Sequence, residues 1–328
     1  MPPDFRHGLK GHLLSLLQAV SLTALASPAV AQPRAPLDVV RLRPTFFVIV
    51  GAGGNIAVQT GQDGVVLVDS GTAALADTVL STIRTLSDRP IRYIINTSAA
   101  GDHVGGNEKI AAGGQSLFSG TRNTVSGGAS IISTENAAMR MSALSGTAPA
   151  LPGAARPTET FNQRQKSLYL NDEGIQVIHE PAAHTDGDSI VFFRRSDVIV
   201  AGDIFDITRF PTINVEQGGS IQGEIDALNR LIALAVPSIP LPWKEGGTYI
   251  VPGHGRICEE AELVEYRDMV TIIRDRVQDM VNRGMNLAQI KAASPTQGYT
   301  RRYGSDTGSW TTTLFVEAVH RSLTAGKR

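Results

Sequence analysis

Asn96-Thr97-Ser98-Ala99-Ala100-Gly101-Asp102-His103-Val104-Gly105-Gly106-Asn107 follows directly on the apolar, β-branched run Ile91-Arg92-Tyr93-Ile94-Ile95. A run of that composition reads as a strand, and the segment after it as a loop that enters a helix. Three further stretches have the same layout. His184 lies in Ala183-His184-Thr185-Asp186-Gly187-Asp188, Asp203 closes Val198-Ile199-Val200-Ala201-Gly202-Asp203, and His254 lies in Pro252-Gly253-His254-Gly255 after an apolar run from Thr248. Strand ends deliver side chains to one rim of a sheet, so these four places can converge. Imidazole nitrogen and aspartate oxygen are ligands that zinc and related divalent ions accept. One histidine in a loop is ordinary; three behind strands, together with an aspartate, form a pattern.

Working outward, Phe46 to Val50 and Ile56 to Val58 are strand-like, and Gly61-Gln62-Asp63-Gly64 is a turn before Val65-Val66-Leu67-Val68-Asp69. An Asp-Gly pair between β-rich runs signals a hairpin. Leu75, Val79, Ile83 and Leu86 recur at helical spacing, which predicts a helix within Thr72–Ser87. A second hairpin joins Ile190–Phe193 to Val198–Asp203 and also ends in an aspartate, which suggests two similar β-rich halves packed face to face. The segment 120–157 is rich in Ala, Gly, Ser, Thr and Pro and reads as a surface insertion or lid, with a helix over Ser133–Leu144. Helices follow at Ser220–Ala235, along Leu263, Tyr266, Val270, Ile273, Val277 and Met280, and at Trp310–Leu323. Gly284 marks a helix stop, and Asn286 with Gln289 a capping box. Phe210, Trp243 and the insertion are candidates to line a pocket.

The order and contexts of these motifs resemble the metallo-β-lactamase superfamily. The resemblance runs from about Phe46 to Gly255. It implies an α/β (α+β) fold, a four-layer αββα sandwich, with extra C-terminal helices over 258–325. In that family the signature His-x-His-x-Asp-His is followed by a Gly-Gly-Asn-type helix start. Here the first two histidine slots are Ser98 and Ala100. The resemblance therefore leaves the first metal only His184 and a share of the bridging Asp203. It leaves the second metal Asp102, His103, Asp203 and His254. Asp69 matches an aspartate that supports the signature loop. The implied function is a metal-dependent hydrolase with one divalent ion, by default Zn2+, acting on an ester, thioester, lactone or lactam-type bond. Asp102 would orient water, and His184 would shuttle a proton or touch substrate. The alternative is a non-catalytic metal- or ligand-binding protein on a degenerate scaffold. Two metals, with Ser98, Asp186 or waters filling the gap, are a third reading.

Bulk properties narrow the choice. The 328 residues carry 30 Lys+Arg against 31 Asp+Glu, without the basic excess that nucleic-acid binding usually needs. A small-molecule substrate or ligand is expected instead. Cys258 is the sole cysteine, so the chain holds no internal disulfide and no CxxC motif. Arg6 and Lys10 precede an apolar run, Leu13 to Ala26, and Ala29-Val30-Ala31 fits a small-x-small cleavage site. This layout predicts a signal peptide over 1–31 and export to the periplasm or medium, without stable membrane insertion after cleavage. One domain is expected over 32–328, with its core at about 46–255. No Gly-x-Ser-x-Gly elbow or phosphate loop supports a serine hydrolase or a nucleotide enzyme.

Overall fold

The computed structural model describes residues 37–117, 127–142, 150–238 and 246–325. The expected signal peptide and Trp243 lie outside the described residues. Pro36–Arg328 is one compact unit.

In chain order the elements are β1 (Asp38–Arg43), β2 (Phe46–Val50), β3 (Ile56–Thr60), β4 (Val65–Val68), α1 (Ala76–Leu86), β5 (Ile91–Ile95), α2 (Gly101–Val104), α3 (Asn107–Ala112), β6 (Ser130–Thr134), α4 (Glu135–Ser142) and β7 (Glu159–Phe161). Then come β8 (Gln165–Leu170), β9 (Glu173–Glu180), β10 (Asp188–Phe193), β11 (Val198–Asp206), α5 (Ile221–Leu234), β12 (Tyr249–His254), α6 (Glu260–Asn282), α7 (Leu287–Ala292), α8 (Thr300–Tyr303) and α9 (Thr312–Thr324). The described strands form two sheets, ordered β1-β2-β3-β4-β5-β6-β7 and β12-β11-β10-β9-β8.

Side chains on a strand alternate between faces, and that alternation builds four layers. Phe46, Val48, Val66, Val68 and Ile95 meet Val177, Val191, Phe193, Val200 and Val251 between the sheets. The intervening residues Ile49, Val65, Leu67 and Ile94 face outward onto Val79 and Ile83 of α1 and Ile110 of α3. On the second sheet Ile190, Ile199 and Ala201 face outward onto α5, α6 and α9. This is the αββα sandwich with C-terminal helices.

The echo between the hairpins extends to topology. β3 and β4 pair antiparallel, and α1 then leads to β5, parallel to β4. β10 and β11 pair antiparallel, and α5 then leads to β12, parallel to β11. Each half thus ends in a parallel strand whose following loop or last residue carries a histidine, His103 after β5 and His254 closing β12.

Local signals fix the helix ends. Ser220 caps α5 by accepting from the Gly223 N–H. Asn286 and Gln289 form a reciprocal capping box on α7. Three expectations are corrected. The segment 120–157 is not wholly an insertion, because Ile131 and Ile132 give it a β-branched run that pairs parallel with β5. The helix there starts at Glu135, with Ser133 and Thr134 still in the strand. Phe210 lines no pocket: it is 1 % exposed and stacked on Phe315 at 4.7 Å, inside the apolar core under α9.

Candidate metal centre

The site lies at one rim of the sandwich, where β4, β5, β11 and β12 end. β4 stops at Asp69, whose φ of 65° is left-handed. Aspartate tolerates that conformation better than most residues, although a small strain remains. The turn directs the buried carboxylate back at the loop after β5. Asp69 Oδ1 accepts the Thr97 N–H at 2.8 Å, and Oδ2 accepts the Thr97 hydroxyl at 2.7 Å. Asp69 Oδ2 also lies 2.7 Å from His103 Nδ1. A carboxylate on one ring nitrogen fixes the tautomer and turns the other nitrogen outward, which is how metal-binding histidines are commonly held.

His103 Nε2 lies 3.0 Å from Asp203 Oδ1. His254 Nε2 lies 3.1 Å from Asp102 Oδ2 and 3.6 Å from Asp203 Oδ1. Ligand atoms of Asp102, His103 and His254 all fall within 4.8 Å of one another, and among the described residues no other such group occurs. Two imidazole nitrogens and two carboxylates converging in this way fit one divalent ion. Glycines allow the close packing. A Cβ on Gly54 would come within 2.7 Å of the His103 ring, and one on Gly53 within 3.1 Å of Asp102. Asn55 ties this loop to the β12 end, donating to the Pro252 carbonyl at 2.9 Å and the Gly255 carbonyl at 3.0 Å.

Electrostatics follow from the pairing. Burial disfavours the imidazolium of His103, but Asp203 and Asp69 outweigh it and lift its pKa well above 6.5. Burial likewise opposes ionisation of Asp203, and His103, then His184 and His254, hold its carboxyl far below the usual range. The hydrogen bond from His254 lowers Asp102 against a smaller burial effect.

The other side of the site is different. Ser98, buried, offers its hydroxyl to Asp203 Oδ2 at 3.3 Å and accepts the Ala100 N–H at 3.2 Å. His184 reaches the site without a hydrogen bond: its buried Nδ1 lies 3.7 Å from both Asp203 Oδ2 and Asp188 Oδ1. Asp188 is already engaged by the Thr185 N–H at 2.6 Å and hydroxyl at 2.8 Å. Asp186 does not fill the gap, because Arg140 binds it at 2.5 Å. His179 is not part of the centre; its Nε2 meets the Asp186 carbonyl.

Sequence reasoning missed Glu224. It is fully buried on α5 with both carboxylate oxygens unpartnered. Burial, reinforced by Asp188 and Asp203, raises its pKa well above 4.5. Its only sequence signal is a glutamate on the apolar face of an amphipathic helix.

An αββα sandwich with a His/Asp cluster at its strand ends is a scaffold whose residues could hold a metal ion. The family model described as "Metallo-beta-lactamase superfamily" matches residues 50–115, which include Asp69 and the whole loop from Asn96 to Asn107. The fold is similar to that of a metallo-β-lactamase from Pontibacter korlensis, at 16 % identity and a TM-score of 0.54, covering 72 % of this chain and 99 % of that one. It is similar to a Cronobacter sakazakii metallo-β-lactamase with a HARLDQ motif, at 19 % identity and 0.55, covering 76 % and 97 %. It is also similar to the inverting sec-alkylsulfatase Pisa1 from Pseudomonas sp., at 13 % identity and 0.61, covering 87 % of this chain and half of that longer one. A search of curated proteins gives no match. These comparisons show the metallo-β-lactamase fold, with a family-model match confined to residues 50–115.

Proposed function

We propose that this chain is a metal-dependent hydrolase that works with one divalent ion, by default zinc, held by Asp102, His103, Asp203 and His254. The observation that carries this reading is the 4.8 Å convergence of Asp102, His103 and His254 beside a first-site half that has Ser98 and Ala100 in place of imidazoles. Such an ion supplies Lewis-acid polarisation and activation of water. Asp102 would orient the attacking water. His184, whose Nδ1 has no committed partner, passes a proton to the leaving group or contacts substrate. Asp69 and Thr97 keep His103 in register. The substrate is a small molecule with an ester, thioester, lactone or lactam-type bond, and the scaffold alone does not choose among them. Export through the segment 1–31 is part of the same proposal. Among the described residues no helix is long and apolar enough to cross a membrane.

A second reading is supported by the Ser98 hydroxyl on Asp203: the half that lost its imidazoles has closed on itself, as in a scaffold that binds without turnover. Two measurements separate the readings. Protein purified without chelator is assayed for metal, and the loaded protein is screened against ester, thioester, lactone and lactam probes. About one ion per chain with turnover above the metal-only background supports the hydrolase. Bound metal without turnover of any probe supports the binding protein.

A further inference from the structure

His184 presents a problem of orientation. A catalytic imidazole is normally aimed by a hydrogen bond at its second nitrogen. Here Nδ1 has none: the carboxylates of Asp188 and Asp203 both stand off at 3.7 Å, and Asp188 is taken by Thr185. The direction of the ring is therefore inherited from the backbone of 183–188.

That backbone is tied to two other segments. The loop 214–219 accepts and donates: Asn214 N–H donates to the His184 carbonyl at 2.9 Å, and Asp186 N–H donates to the Gln217 carbonyl at 2.9 Å. The two loops touch so closely that a Cβ on Gly219 would sit 2.1 Å from the His184 carbonyl oxygen. The third partner is α4. Arg140 places Nη2 2.5 Å from Asp186 Oδ1 and 2.7 Å from the Gln217 carbonyl, with Nε 3.2 Å from the same carboxylate oxygen. One guanidinium thus bridges both loops that flank His184. Asn136 of the same helix adds a bond to the Asp186 carbonyl at 3.1 Å. Bonds from a guanidinium to a carboxylate are about twice as strong as neutral ones. Both side chains are partly buried, so water screens the pair less than it would on the open surface.

We propose that Arg140 is a positioning residue for His184: reaching from α4 of the first half, it locks the loops 183–188 and 214–219 of the second half together and so aims the imidazole at the centre. This rests on the part given to His184 in the proposed hydrolase. It also gives α4 a function: the helix holds the loops behind His184 from outside the metal cluster. A lysine cannot reproduce the fork, because its single ammonium reaches either partner but lacks the planar pair of donors.

The test uses protein labelled with 15N-histidine, with His184 resonances assigned by a His184→Gln variant. In Arg140→Ala the His184 ring signals shift or broaden, while those of His103 and His254 stay in place and zinc content is unchanged. On any probe the parent hydrolyses, kcat falls by about 10- to 100-fold with little change in KM. Arg140→Lys recovers part of both effects, and Asp186→Asn reproduces them should Arg140→Ala fold poorly. His184 signals in Arg140→Ala and Asp186→Asn that superimpose on the parent's would overturn the proposal. The ring spectrum decides even if the parent turns over no probe, so failure of the hydrolase reading is seen separately.

Discussion

The two halves of the centre are built from the same residue types and behave oppositely. On the side of His103 and His254, every acid faces a base: Asp69 and Asp203 hold the two nitrogens of His103, and Asp102 meets His254. On the side of His184, neither Asp188 nor Glu224 has a hydrogen-bonded base. Asp188 is satisfied by a threonine, Ser98 stands where an imidazole would be, and Glu224 is buried without a partner. With Ser98 and Ala100 where the resemblance expects imidazoles, one half is electrostatically complete and the other holds unpaired groups that protonation and neutral hydrogen bonds must stabilise. Complementary pairs in a buried site keep their geometry, whereas an uncompensated buried charge neutralises itself or draws in a partner.

Removing the central base should have the largest effect. His103→Ala leaves Asp69 and Asp203 facing an empty space, so zinc content should fall from about one per chain to near zero. Thermal unfolding should report a loss of about 3–5 kcal/mol, the usual result of breaking a buried pair. Metal retained in that variant would show that the complete half is not the binding half. Next comes repair of the poorer half. Ser98→His combined with Ala100→His should raise the stoichiometry from about one ion to about two, read by elemental analysis. A value that stays at one would mean that the Ser98 side has closed beyond repair.

Smaller effects sharpen the same contrast. Asp69→Asn keeps the shape but weakens the hold on His103 Nδ1, and zinc affinity should drop by about 10- to 100-fold in a competition titration with a chelating dye. An unchanged affinity would make Asp69 a purely structural residue. Glu224→Gln tests the unpaired acid. Because its folded pKa is raised, the native state binds a proton more tightly than the unfolded chain, so its contribution to stability falls as pH rises above 4.5. The glutamine variant removes that slope: it should match the parent near pH 4.5 and exceed it at pH 8, by about 2–4 °C in Tm. A parent curve as flat as the variant's would contradict a protonated Glu224.

Much of this was legible in the chain. Hairpin turns, the period of Leu75, Val79 and Ile83, and the capping residues Ser220 and Asn286 act over a few positions, so sequence reading located them. The loop from Asn96 to Asn107 and the later His184, Asp203 and His254 carried the family resemblance, and the structure brings all four places to one rim. Strands β8 and β9 were not read, because their polar and apolar residues alternate without a turn signal as clear as Asp63-Gly64. β6 was hidden by its small-residue flanks, since its pairing with β5 is parallel and non-local. Phe210 looked available from its loop position, but stacking on Phe315 from a helix about a hundred residues away consumes it.

By itself the sequence determined which side chains exist to bind a metal, their order, and the absence of imidazoles at 98 and 100. Local chemistry suffices for that, because ligand type and strand-end position are properties of short segments. Only the tertiary structure decided that Asp69, just after β4, and Asp203, within β11 rather than at its end, grip one histidine from opposite sides. It alone decided that Glu224 is buried without a partner and that Arg140 reaches two distant loops. Those facts depend on which surfaces meet when the sheets pack, and burial changes the energy of a charge by more than any neighbour in sequence can.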